Sequence, residues 1–336
     1  MLHKIYKYLS KIKRLIRVIV LRITNPWVAG PLLGLAAFCP LYLFTLAGSW
    51  LPHLLVLCLL WTGWLLLKRQ NHKAAWLAAW VVLAASALVP QQEIAAPAPA
   101  AGTSLKVAQV NVLQFNSRHE MVTRQIEALG ADILAFQEVN QPWADSLVKV
   151  LSAEYPYFSL APQDNCYGMA LFSKKPLKEV QLRLWEGYPA ISARIEENGQ
   201  DTLILSLHAA SPVSLERFRA RNKQLKAAAR FIEEAGVPTL VLGDFNTVPW
   251  DPALKPLLQA ANLQDSRSLH YTATWPSFFG KWGIPIDYVL HSPHWQRLSH
   301  GSVSIPGSDH KAMVATLAMK ASPAQEQNNI LVSAQP

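Results

Sequence analysis

Val241-Leu-Gly-Asp-Phe-Asn246 ends an apolar run on a carboxylate and a carboxamide. A short run of strand-forming residues reads as a buried strand, and its polar last residues as the mouth of that strand. On extended chain Asp244 and Asn246 project to the same side, because side chains repeat every second residue. Such a pair holds a water or a phosphate oxygen. Far downstream, Gly307-Ser-Asp-His310 supplies a second carboxylate and an imidazole in adjacent positions, a metal ligand beside a general base. Phosphoester hydrolysis needs all of these parts.

Outward from this strand, four more segments place a polar residue at the end of an apolar run: Gln109-Val-Asn111, Phe136-Gln-Glu138, Leu207-His208 and Ile286-Asp287. A carboxylate in an apolar run is costly unless it is paired or metal-bound. Each residue also has a blander reading. Asp244 and Asn246 are good turn formers, Asp309-His310 suits a strand cap, Glu138 an exposed loop acid, Asn111 a backbone partner and His208 a satisfied structural histidine. Six such placements in one chain favour a shared site at one sheet edge.

The intervening pattern predicts the scaffold. Leu105–Val112, Ile133–Phe136, Gly168–Ser173, Val180–Leu184, Ile191–Ile195, Leu203–His208, Thr239–Leu242, Ile286–Leu290 and Ala312–Leu317 have strand length and composition. Glu120–Leu129 reads as a helix. So does Ser214–Glu234, with Leu215, Phe218, Leu225, Ala229 and Ile232 as its apolar stripe and Gly236 as its stop. Antiparallel meanders mixed with helices imply an α+β sandwich with helices on its outer faces.

In these motifs the chain resembles the endonuclease/exonuclease/phosphatase superfamily, over about residues 104–318. Gly-Asp-Phe-Asn and Ser-Asp-His carry the likeness most specifically, and the tethered layout is similar to membrane-anchored bacterial members. The resemblance implies a four-layer α/β sandwich of the deoxyribonuclease type and a divalent metal, Mg²⁺ or Mn²⁺. Glu138 would be its principal ligand, with Asn111 and Asp309 beside it; oxygen ligands suit these ions better than zinc. It further implies that His310, oriented by Asp287, takes the proton of the attacking water. Asp244 and Asn246 would align that water and hold phosphate oxygens. His208 would donate to a phosphoryl oxygen or protonate the leaving group.

Charge is unevenly spread. The chain carries 31 Lys/Arg and 22 Asp/Glu, a formal +9. Residues 1–103 hold ten of the bases and one acid, Glu93, so residues 104–336 retain 31 − 10 = 21 bases and 22 − 1 = 21 acids. The basic balance therefore describes the N-terminal region and argues for membrane topology over nucleic acid. Pro26–Ala47, Trp50–Leu67 and Ala74–Val89 contain no charged residue. A crossing helix needs roughly 20 apolar residues, about 17 at the lower end; the first stretch is adequate, the second marginal and the third short. Bases before the first stretch and between the second and third should stay cytoplasmic. Three crossings would then put the catalytic domain on the periplasmic side of the inner membrane. Residues 1–22 alternate bases with apolar residues at helical spacing, as an amphipathic surface helix does. The remaining partition is a membrane region at 23–89, an Ala/Pro linker at 90–103, the domain at 104–320 and a disordered tail at 321–336. Cys39 and Cys58 fall in apolar stretches and Cys166 stands alone in the domain, so no intradomain disulfide forms.

The substrate is less legible. Arg217 and Arg221, four apart on the helix after His208, share a face and read as cleft cations or as a solvated face. Trp275, Phe278, Phe279 and Trp282 read first as core or lid packing, with base stacking and bilayer contact as the other readings. DNA or RNA, a phospholipid head group and a small phosphoester all stay open, as does a non-catalytic binding module on the same fold.

Overall fold

The computed structural model describes residues 24–89, 104–267 and 270–320. The segments 1–22, 90–103 and 321–336 lie outside the described residues. What is described forms two compact units, each treated by itself.

The first unit is helical: α1 (Pro26–Phe38), α2 (Tyr42–Gly48), α3 (Leu51–Leu67) and α4 (Asn71–Ala85). Asn25 caps α1 by accepting the Trp27 N–H at 3.1 Å, and Pro26 takes the first helical position, where its missing N–H costs nothing. The apolar stretch expected to cross as one helix is broken. α1 stops at Phe38, Cys39 is extended, and α2 runs off at 94°. Pro40 is the physical reason: it disfavours helical geometry at Cys39 and cannot donate to the ladder. Among the described residues no single helix is long and apolar enough to cross a membrane, although α1 and α2 meet the length and composition together. α1 approaches α4 closely, since a Cβ on Gly30 or Gly34 would meet the Trp80 ring at 2.3 Å. Leu41, Leu43, Leu57, Leu60, Leu67 and Val82 are left on the outside.

The second unit carries β1 (Ser104–Asn111), α5 (His119–Glu127), β2 (Ile133–Gln137), α6 (Gln141–Leu151), β3 (Tyr157–Ala161), β4 (Met169–Ser173), β5 (Lys178–Trp185), β6 (Tyr188–Glu197) and β7 (Gln200–His208). α7 (Leu215–Ala235), β8 (Thr239–Asp244), α8 (Lys255–Gln259), β9 (Gln264–Asp265), β10 (Asp287–His291), β11 (Trp295–Ser304) and β12 (Lys311–Met319) follow. Two six-stranded sheets run β11-β12-β1-β2-β4-β3 and β5-β6-β7-β8-β10-β9. The expected two-sheet α+β sandwich is what the residues form. α7 is capped by Ser214 and stopped by Gly236 in the left-handed region, as its sequence predicts.

Alternation along the strands sorts the core into layers. Leu105 and Val107 of β1, Ile133 and Ala135 of β2, Ile204 of β7, Leu240 and Leu242 of β8, and Val289 of β10 meet in one cluster between the sheets. The alternate residues face outward. Ala108, Val110, Leu134 and Phe136 pack under α5 and α6. Leu203, Leu205, Val241 and Leu290 pack under α7 and α8. Truncating one such buried side chain costs about 2–5 kcal/mol.

Candidate active site

The site is the polar end of the inter-sheet core. Continuing each inward register in steps of two residues carries β1 to Gln109 and Asn111, β2 to Gln137, β8 to Asp244, β10 back to Asp287 and β7 through Ser206 to His208. Pairing brings them together: Asn111 lies opposite Gln137, and Asp244 lies opposite both Asp287 and His208. Gly243 makes the β7–β8 approach possible, because a Cβ there would stand 1.7 Å from the Leu207 carbonyl oxygen.

Asp287 and His310 form a buried pair. Nδ1 of His310 lies 3.0 Å from Asp287 Oδ2, and Gln109 Nε2 donates to Asp287 Oδ1 at 2.7 Å. With its Nδ1 proton held by the carboxylate, His310 turns Nε2 toward Asp244 Oδ2, 3.7 Å away. His208 Nε2 approaches the same oxygen at 3.6 Å. Both separations exceed hydrogen-bond length, so these are charge contacts around a common space.

Electrostatics separates the two histidines. Burial drives His208 down to about 3, leaving it a neutral donor. Burial also opposes a charge on His310, but the Asp287 and Asp244 carboxylates outweigh it and carry it up to about 10. Asp244 is itself pushed up, by burial first and then by Asp287.

Glu138 and Asp309 make the second half. Glu138 follows the end of β2 with φ 63°, which breaks the strand alternation and turns its carboxylate off the helix face into the site. Its Oε1 accepts from Asn111 Nδ2 at 3.1 Å and its Oε2 from the Gln114 N–H at 3.1 Å. Burial pushes the carboxyl up, the two hydrogen bonds pull it down, and Asp309 adds to the push. Asn111 Nδ2 also donates to Asp244 Oδ2 at 3.2 Å, so one carboxamide ties the two halves together. Asp309 Oδ2 accepts from Trp275 Nε1 at 2.9 Å, while its buried Oδ1 has no partner.

The residues fit a divalent cation. Glu138 and Asp309 are two partly buried acids, one pushed up by burial and the other with an orphaned oxygen, and oxygen donors of this kind suit a hard ion. Asp244, Asp287 and His310 also offer ligand atoms within 4.8 Å of one another. An ion held there through Nε2 would occupy the nitrogen that His310 turns toward Asp244, so we favour the Glu138–Asp309 side.

Two expectations change. Asp244 and Asn246 do not share an extended strand: β8 ends at Asp244 and Asn246 has φ 50°. The Asn246 N–H donates to Asp244 Oδ1 at 2.9 Å in a tight turn, and its Nδ2 donates to the Ala209 carbonyl at 3.0 Å. Asn246 is near Asp244 through a turn, with its carboxamide oxygen and the second N–H of Nδ2 left for a substrate. Arg221 is no cleft cation; it is buried and donates from Nη1 to the Asn246 carbonyl at 2.9 Å, clamping that turn. Arg217 alone stays exposed, its guanidinium 5.9 Å from the Tyr167 ring centroid.

Sequence reasoning passed over four contributors. Gln109 and Gln137 lie inside apolar strands, a signal of the same kind as Asn111. Trp275 was grouped with the aromatic loop, and nothing local in the sequence ties it to Asp309. Tyr167, just before β4, is buried; its hydroxyl accepts the Ser211 N–H at 3.0 Å and its ring lies 4.9 Å from that of His208.

Comparison with known proteins agrees with the geometry. The Endonuclease/Exonuclease/phosphatase family model matches residues 108–310, more than half of the chain. No curated protein matches by sequence. An endonuclease/exonuclease/phosphatase family protein from Bacteroides thetaiotaomicron superposes with a TM-score of 0.56 at 17% identity, covering 66% of this chain and 100% of that one. Humanized D. rerio TDP2 gives 0.55 at 17%, covering 64% and 99%. The human Nocturnin catalytic domain with bound sulfate gives 0.53 at 20%, covering 66% and 96%. At such identities the likeness is one of fold. With the family match extending from β1 to His310, the chain belongs to the endonuclease/exonuclease/phosphatase family, whose members are phosphoester hydrolases.

Proposed function

We propose that this protein is a divalent-metal-dependent phosphoester hydrolase that acts on a phosphodiester and is held at a membrane by its N-terminal helices. One observation carries the catalytic part: the buried Asp287–His310 pair aims Nε2 into the space shared by Asp244 and His208, and Asn111 joins that space to Glu138.

His310 Nε2 takes a proton from the attacking water, and Asp287 holds the ring's orientation through Nδ1 and balances the imidazolium. Asp244 accepts from the same water and fixes its direction. Asn246 presents its carboxamide beside it, with one N–H of Nδ2 available to a phosphoryl oxygen. His208, neutral, donates one hydrogen bond to a phosphoryl oxygen as negative charge develops there, and as the water oxygen bonds to phosphorus the opposite P–O ester bond breaks, its alkoxide taking a proton from solvent. Glu138 and Asp309 would hold Mg²⁺ or Mn²⁺, oriented by Asn111, Gln114 and Trp275. When bound, the cation supplies Lewis acidity to the phosphoryl group and a positive charge that lowers the proton affinity of His310 toward neutrality.

The membrane reading rests on composition and surface. The helical unit leaves Leu41, Leu43, Leu57, Leu60, Leu67 and Val82 exposed, as helices facing lipid do, and it is broken at Pro40 instead of running straight through. Position of bases along the sequence favours a periplasmic catalytic unit in the inner membrane. Nucleic acid is the weaker substrate reading, because the catalytic part is neutral overall and Arg221 is spent inside the fold. A non-catalytic binding module has little use for a buried base and acids of this arrangement.

The test is hydrolysis of bis(p-nitrophenyl) phosphate, p-nitrophenyl phosphate and plasmid DNA by the full chain in detergent, with Mg²⁺, Mn²⁺ or EDTA. The proposal expects metal-dependent cleavage of the diester ahead of the monoester. Nicked plasmid would make nucleic acid the leading substrate; no cleavage of any of the three in a folded, metal-loaded preparation would sink the enzyme reading.

A further inference from the structure

We infer that the 3-10 turn Ser277–Trp282 is a docking surface for a lipid bilayer, mounted rigidly on the catalytic end of the sandwich. The inference rests on the proposed membrane-held phosphoesterase.

The outer side of the turn is aromatic. Phe278 is 74% exposed, Phe279 50% and Trp282 56%, within six residues. These exposures disagree with core packing for the three rings, whereas Trp275 before them is partly buried. The inner side is polar and fixed to the site. The Ser277 N–H donates to the Asp309 carbonyl at 2.6 Å and its hydroxyl to the Ser308 carbonyl at 2.9 Å. Lys311 Nζ donates to the Gly280 carbonyl at 3.1 Å, and Trp275, just before the turn, donates to the Asp309 carboxylate. The rings are therefore presented at a set position relative to Asp309 and His310.

The chemistry selects the partner. A single-stranded nucleic-acid platform combines stacking rings with a cationic groove along the backbone. Here the turn brings one lysine, Lys281, whose Nζ lies 5.9 Å from the Trp282 ring, while the Lys311 ammonium is occupied by Gly280. Two phenylalanines, a tryptophan and one lysine suit the headgroup layer, where indole and ammonium stay half wet and the phenyl rings enter the acyl boundary. The same chain carries helices that leave many large apolar side chains exposed, so on the proposed membrane reading a bilayer is the apolar surface within covalent reach. Docking by this turn would bring the metal acid and base over the headgroup plane, which favours a phosphodiester carried by a lipid.

The experiment uses the full chain in nanodiscs of phosphatidylcholine with phosphatidylglycerol. Cys39, Cys58 and Cys166 are replaced by serine, and one cysteine carrying a fluorophore is introduced as Phe278→Cys, Trp282→Cys or Glu196→Cys. Glu196 is exposed at the end of β6 remote from His208. Lipid-tethered quenchers should quench the dye at positions 278 and 282 at least about threefold more than at 196. Serine at the two remaining aromatic positions should remove that difference and leave hydrolysis of soluble bis(p-nitrophenyl) phosphate within about twofold, as fits residues outside the chemistry. Equal quenching at all three positions overturns the inference. So does a difference that vanishes when a single-stranded oligonucleotide is added, which would assign the rings to base stacking. Loss of diester hydrolysis in the parent chain would count against the enzyme reading alone, since quenching reads docking without turnover.

Discussion

Replacing Glu138 with glutamine separates the two possible metal centres. In the metal-free protein the change removes a carboxylate that burial and Asp309 both push up, but it also turns an amide N–H₂ toward one of the two donors that Glu138 now satisfies. These effects oppose each other, so the unfolding free energy should change by less than about 1 kcal/mol. The response to metal should change far more. With a dissociation constant of about 1 mM, roughly 10 mM Mg²⁺ stabilises by RT ln 11, about 1.4 kcal/mol. For a unit of this size that is about 3–6 °C in Tm. Thermal unfolding of the full chain in detergent should show this rise in the parent protein and less than about 1 °C of it in Glu138→Gln. Asp287→Asn should keep most of the rise, because Asp287 serves His310. A full rise in Glu138→Gln together with its loss in Asp287→Asn would refute the assignment and move the ion to Asp244, Asp287 and His310.

Three further outcomes are expected. The unfolded chain takes up a proton on a histidine below about pH 6.5 while native His208, held down to about 3 by burial, does not, so stability falls as pH drops through that window. Urea titrations of the parent and His208→Gln should diverge by about 2 kcal/mol between about pH 7 and pH 5, and parallel curves would show that His208 is protonated in the fold. Gly243→Ala should cost about 3 kcal/mol or more, since a Cβ meets the Leu207 carbonyl; a denaturant midpoint near that of the parent would contradict the close β7–β8 approach. Trp275→Phe removes the indole donor from Asp309 and should lower metal-free stability by about 1–2 kcal/mol, with Mg²⁺ restoring more of it than in the parent; an unchanged melting curve would mean that the bond contributes nothing.

Much of the site was legible because the chemistry interrupts a pattern. In strands where alternate residues are uniformly apolar, Asn111, Asp244, Asp287 and His208 stand out as polar residues in the inward register, and register is what the fold preserves. Glu138 was legible as a residue and not as a geometry, since its left-handed φ redirects a side chain that the pattern places on the other face. Asn246 misled for the same reason. β3 and β11 escaped notice because they are sheet edges with mixed exposure, where alternation fades. The contacts of Gln109 with Asp287 and of Trp275 with Asp309 span 178 and 34 residues, beyond the reach of any local pattern. Among the apolar helices, Pro40 carried the signal for the break, and counting apolar residues alone concealed it.

The central claim is that His310, set by Asp287, is the base of a phosphoester hydrolase. Its most direct test is the rate of bis(p-nitrophenyl) phosphate hydrolysis with saturating Mg²⁺ by the parent chain and by His310→Gln, alongside the melting curve of each. The account predicts a fall in kcat of about 10²–10⁴ with KM little changed, in a variant that still melts cooperatively. A folded His310→Gln protein that hydrolyses the diester at the parent rate would contradict it.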